Sequence, residues 1–164
     1  MNSDDRDLLI QSFGVACANI DSLLEKLNTY EQQIVDGVSN TEENRERCDT
    51  AIMRAKGNTK RALSSAVEMN LHKSPAMRFP LSLLRSKITD METAFDEANA
   101  EAGEDKLPFI EKAIRAAGFA KRNCDDIYEL LNKPTNKGGS RKRTHRNKTL
   151  RKRMHKKRTH RSRK

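Results

Sequence analysis

Tryptophan is absent and aromatic residues make up only 4% of the 164 residues, so few side chains are large enough to fill a broad, deep core. No apolar run approaches the roughly 18 residues that a membrane-spanning helix needs. The opening Met1-Asn2-Ser3-Asp4-Asp5-Arg6-Asp7 is acidic and lacks the basic-then-apolar layout of a secretory signal, which predicts a protein that is not secreted. Cysteine is scarce: Cys17, Cys48 and Cys124 are far apart, odd in number and never in a Cys-x-x-Cys pair. That spacing predicts neither a disulfide scaffold nor a zinc site, and points to a reducing compartment.

Charge is what the chain has in quantity. Lys and Arg number 33 against 23 Asp and Glu, a net charge of +10. The last acidic residue is Glu129; from Pro134 to Lys164 there are 15 Lys and Arg, 3 His and no acid. Residues 1–133 therefore hold 18 cations against 23 acids, a net of −5. An acidic body joined to a strongly basic tail implies two units with different roles. Pro134 to Ser140 supplies the breakers between them.

Beyond Ser140 the only aliphatic or sulfur side chains are Leu150 and Met154, too few to pack a core. Mutual repulsion predicts a disordered segment. A short unit recurs in it, as Arg141-Lys142-Arg143-Thr144-His145-Arg146, Arg151-Lys152-Arg153-Met154-His155-Lys156 and Lys156-Lys157-Arg158-Thr159-His160-Arg161. This is low complexity selected for charge density, not a folded repeat.

The body carries helical periodicity throughout. Leu9, Phe13, Ala16, Ile20, Leu23, Leu27, Tyr30 and Ile34 are separated by steps of four and three, one stripe on a helix of coiled-coil character. Ser3 is the expected cap, Asp4, Asp5 and Asp7 suit the positive end of the dipole, and Gly37 ends the helix. A second stripe runs through Cys48, Ile52, Ala55, Thr59, Ala62, Ala66 and Met69, with Gly57-Asn58 expected to bend or split it. His72 to Phe79 reads as a loop between prolines. A third helix comes next, with Pro80 in its first turn and Leu81, Leu84, Ile88, Met91, Phe95 and Ala98 on one face. The fourth starts near Asp105, with Ile110, Ala113, Ala117, Ala120, Cys124, Ile127 and Leu131. No stretch alternates as a strand does.

The fold expected is all-α, an antiparallel bundle of about four helices over residues 1–133 with a disordered basic tail over 134–164. The first helix outlasts the third, so part of its stripe, Leu9, Phe13, Ile20, Leu23, Leu27, Tyr30 and Ile34, is a candidate surface for a homo-oligomer.

Enzymatic readings fail on residue supply. The cysteines fall on or beside core stripes and read as small buried hydrophobes. A di-metal carboxylate site needs Glu-x-x-His, whereas Glu68 and His72 are four apart and the body has no second histidine. There is no P-loop, dinucleotide fingerprint or hydrolase triad. Asp96, Glu97, Glu101, Glu104 and Asp105 read as a solvated face, or as a dock for a basic segment. Each tail histidine is flanked by cations, which disfavours a bound metal. No catalytic residue, metal, cofactor or small-molecule substrate is expected.

The tail instead has the chemistry of a polyanion ligand. Arg141, Lys142, Arg143, His145, Arg146, Lys148, Arg151, Lys152, Arg153, Lys156, Lys157, Arg158, Arg161, Arg163 and Lys164 would contact DNA or RNA phosphates, with steep salt dependence. Without Phe, Tyr or Trp to stack on bases, no sequence preference is expected. A flexible arm of this length reaches roughly 30 Å. The same residues also suit a nuclear localisation signal or an acidic lipid surface.

The stretch Gly138-Gly139-Ser140-Arg141-Lys142-Arg143-Thr144-His145-Arg146-Asn147-Lys148-Thr149, together with the basic run from Leu150 to Lys164, resembles the tails of small proteins from nucleocytoplasmic large DNA viruses. There, Gly-Gly leading into Lys/Arg/Thr/His-rich sequence closes otherwise unrelated short chains, several of them virion-associated. The resemblance covers about 27 residues of the 164, and it implies a virion or a host nucleus or cytoplasm as the setting. The leading expectation is a non-enzymatic helical assembly protein whose tail binds nucleic acid, as in virion or core packaging. The alternative is an interaction adaptor or minor capsid-associated protein whose tail directs nuclear entry or meets an acidic surface.

Overall fold

The computed structural model describes residues 3–38 and 42–133. They form four helices: α1, Ser3–Val35; α2, Glu42–Glu68; α3, Pro75–Ala100; and α4, Leu107–Asn132. One-turn 3₁₀ segments, Leu71–Lys73 and Gly103–Lys106, lead into α3 and α4. No strand occurs among the described residues. The expected disordered tail, from residue 134 onward, lies outside them.

Consecutive helices run antiparallel around one core. α1 lies between α2 and α4, α4 packs along α3, and α2 with α3 completes the ring by a much looser approach. The stripes explain why. Every apolar position named on α1, α3 and α4 is buried, as are those on α2 except Met69, which packs against the core from its edge. Helix α1 contributes Leu9, Phe13, Ile20, Leu23, Leu27 and Tyr30, half of the twelve largest fully buried side chains. Helix α4 answers with Ala113, Ala116, Ala117 and Ala120, whose small size lets the bulky α1 face come close. Tyr30 reaches Phe95 on α3 across the core, ring centroids 6.2 Å apart and tilted by 57°, a tilted approach that avoids the unfavourable face-to-face stack.

The expected self-association surface needs correction. Leu9, Phe13, Ile20, Leu23, Leu27, Tyr30 and Ile34 are 0–8% exposed within the single chain. Helices α2 and α4 flank the stripe and α3 faces it across the core, so none of these side chains is left for a second copy.

Helix ends follow local chemistry. Gly37 takes φ 65°, with its N–H bonded to Ile34 O at 3.2 Å and that of Val38 to Gln33 O at 3.0 Å, the paired bonds of a glycine-stopped helix. Ser3 sits in the first turn of α1 and not ahead of it. Two boundaries differ from expectation. α2 is one continuous helix through Gly57 and Asn58, because Ala55, Thr59, Ala62 and Leu63 anchor both sides of the glycine in the core. α3 starts at Pro75, which takes the first-turn place assigned above to Pro80, and Pro80 lies inside the helix. Burial of Met77 gives the extra turn an apolar anchor, at the cost of one backbone hydrogen bond that Pro80 cannot donate.

Candidate nucleic-acid interface

The fifteen tail residues expected to contact phosphate, Arg141 to Lys164, lie outside the described residues. What the structure presents is the surface of the body, and its four helix seams differ in how they are closed.

The α1–α4 seam is covalently and electrostatically sealed. Cys17 and Cys124 form a disulfide with Cα atoms 5.6 Å apart, well inside the span that geometry allows. The expectation of unpaired cysteines is thereby overturned for two of the three. Lys121 bridges Asp125 at 2.6 Å and Asp21 on α1 at 3.2 Å. Partial burial pulls the Lys121 pKa down, but hydrogen bonds to Asp125 and Asp21 outweigh it and the net shift is upward. At the end of the seam the Arg6 guanidinium donates from Nε and Nη2 to the Leu131 carbonyl at 2.8 and 2.6 Å. Arg6 thereby caps α4 with a cation at its negative end.

Cys48 is the free cysteine, fully buried. Burial first, and neighbouring Asp49 second, push its thiol up to about 12. A thiol so protonated is no nucleophile near neutral pH. Asp49 itself is raised by burial, against the pull of Arg45. Among the described residues no group of three or more His, Cys, Asp or Glu is placed to hold a metal ion, and no helix is long and apolar enough to cross a membrane.

The α1–α2 and α3–α4 seams carry open clefts of about 410 and 370 Å³. Their charges are mixed: Arg47 pairs with Glu43, Lys87 with Asp90 at 2.6 Å, and Lys112 with Glu97 at 2.8 Å, while Lys26, Glu46 and Arg54 in the first cleft have no ion pair among the described residues. The acidic face read from the sequence is exposed at Asp96, Glu101, Glu104 and Asp105, while Glu97 is half-buried against Lys112.

The α2–α3 seam is different. A cleft of about 270 Å³ opens there, floored by Leu63, Ile88 and Thr59 and flanked by Lys60 and Arg85. Thr59 is 1% exposed and its hydroxyl has no hydrogen-bond partner among the described residues. Lys56 closes one end through an ion pair with Glu92. Lys60 and Arg85 have no such partner among the described residues. Counting the body's charge as a single total concealed this cluster, although its cations are plain in the chain between residues 54 and 88.

Comparison with protein families, with characterised proteins and with solved structures returns no match.

Proposed function

We propose that this is a non-enzymatic helical assembly protein whose basic tail binds nucleic acid by neutralising phosphates, without reading sequence. The observation that carries this reading is the partition of charge: +15 over residues 134–164 against −5 over residues 1–133. Fifteen cations without an acid release counterions on meeting a polyphosphate. The tail's sequence holds no aromatic side chain to select bases. The body supplies a rigid carrier, and if carriers assemble on a common surface, their tails act together with increased avidity. The resemblance of the tail to those of large DNA virus proteins makes virion or core packaging the natural setting.

The test is binding of the full-length protein to duplex DNA across a salt series, beside a variant with the Lys and Arg of residues 141–164 replaced by Gln. With roughly 6–10 phosphates contacted, affinity of the full-length chain falls about 10³–10⁵-fold between 50 and 200 mM salt. The neutralised variant loses most of that affinity and most of the slope. Weak binding by the full-length chain at about 150 mM salt overturns the reading.

A further inference from the structure

The body's negative charge is unevenly placed. Between residues 54 and 88 stand eight cations and a single acid, Glu68, a net of +7, which leaves −12 on the rest of residues 1–133. The antiparallel connection of α2 to α3 brings most of these cations to one end of the bundle, although Arg54 lines the α1–α2 cleft and Lys87 the α3–α4 cleft. They occupy the C-terminal half of one helix, the connector, and the N-terminal half of the next. Diagonally across the bundle from α3, α1 carries six acids and two cations. The α2–α3 side is therefore basic over its connector half and acid-rich over its other half, where Glu42, Glu43, Asp96 and Glu97 lie.

Two of the eight cations are internally satisfied, Lys56 by Glu92 and Lys87 by Asp90. Arg54, Lys60, Arg61, Lys73, Arg78 and Arg85 are exposed and have no ion pair among the described residues. Arg78 and Arg85 are seven residues apart on one face of α3, about 10 Å along the axis. Lys60 faces Arg85 across the cleft, where the Ser64 and Thr89 side chains also line the wall. Unrelieved like charges raise the energy of the folded body. A polyanion laid along the seam relieves that repulsion and meets fixed donors on both helices.

We infer that the connector half of the α2–α3 side is a second nucleic-acid contact, with Lys60 and Arg85 gripping backbone phosphates at the mouth of the cleft. It shares its ligand with the function proposed above but none of its residues. The tail supplies most of the charge, whereas this surface fixes where the duplex lies against the bundle. Its contribution is phosphate positioning, again without base recognition.

Lysine acetylation of the full-length protein, with and without a duplex DNA oligomer at low salt, reads both contacts at once by mass spectrometry. Lys60 and Lys73 are expected to be protected, while Lys112, near the opposite end of the bundle on α4, stays reactive. The companion measurement is the salt slope of the full-length Lys60→Ala/Arg85→Ala variant. Loss of two phosphate contacts lowers it by about 2, and the control Lys112→Ala/Arg115→Ala, equal in charge lost, leaves it unchanged. Exposed positions keep the fold, which far-UV circular dichroism verifies.

Protection of tail lysines with Lys60 and Lys73 fully reactive overturns this inference and leaves the tail reading standing. Protection of Lys60 and Lys73 with reactive tail lysines supports it and removes the tail instead. Equal slope losses in both double variants reduce the effect to net charge and overturn the inference.

Discussion

Cys17 on α1 and Cys124 on α4 are joined by a disulfide between residues 107 apart in sequence, with Cα atoms 5.6 Å apart. The bond staples the first helix to the last. Chain-entropy reasoning gives a loop of that length a stabilisation of about 4–5 kcal/mol, reduced by any strain in the folded state. Cys17→Ala/Cys124→Ala, or reduction with dithiothreitol, is therefore expected to lower the urea midpoint without changing the helical spectrum. Thiol titration of the denatured, unreduced protein should find one thiol, Cys48; three would show that the bond does not form.

Arg6 gives a second, non-covalent closure of the same seam through Leu131 O. Arg6→Ala removes a forked charge-assisted bond and a favourable helix-end charge, a loss of about 1–2 kcal/mol at this half-exposed site. Arg6→Lys recovers only part, since an ammonium lacks the planar fork. Urea unfolding of both variants under oxidising conditions tests the order.

Thr59 offers a gain. Its buried hydroxyl lacks a partner among the described residues, so Thr59→Val keeps the shape and removes a desolvated polar group, with about 1 kcal/mol of stabilisation expected. A fall in melting temperature would mean that the hydroxyl is satisfied in solution.

Gly57 lies within continuous helix, and a Cβ there meets nothing within 4 Å. Gly57→Ala should stabilise α2 by about 0.8–1.0 kcal/mol through backbone entropy. Thermal unfolding of the variant measures it directly.

Burial and the proximity of Asp49 hold the Cys48 thiol near 12. At pH 8 only about one molecule in ten thousand would carry the thiolate. Iodoacetamide should leave Cys48 unmodified in the native protein and alkylate it rapidly in urea. Native-state alkylation at a similar rate would disprove its burial.

The helices were legible because each apolar stripe keeps its three-and-four spacing from end to end, and the structure buries those residues. Pro80 misled because proline marks a helix start in isolation, yet Met77 supplies an apolar anchor one turn earlier. The disulfide was not legible. Spacing along a chain says nothing about which helices become neighbours, and Cys17 lies beside the main α1 stripe, on the side that meets α4. The basic seam was legible in principle and hidden by summing charge over 133 residues. Only the antiparallel turn between α2 and α3 shows that Lys60 and Arg85 share a cleft.

The order of the helices also sets a timetable. Each of α1–α2 and α3–α4 is a local hairpin, able to form from adjacent sequence. The α1–α4 seam joins the oldest segment of a growing chain to a much newer one. Cys17 therefore has no Cys124 to pair with until that residue has left the ribosome, and docking of the two hairpins is the step that brings the two sulfurs together.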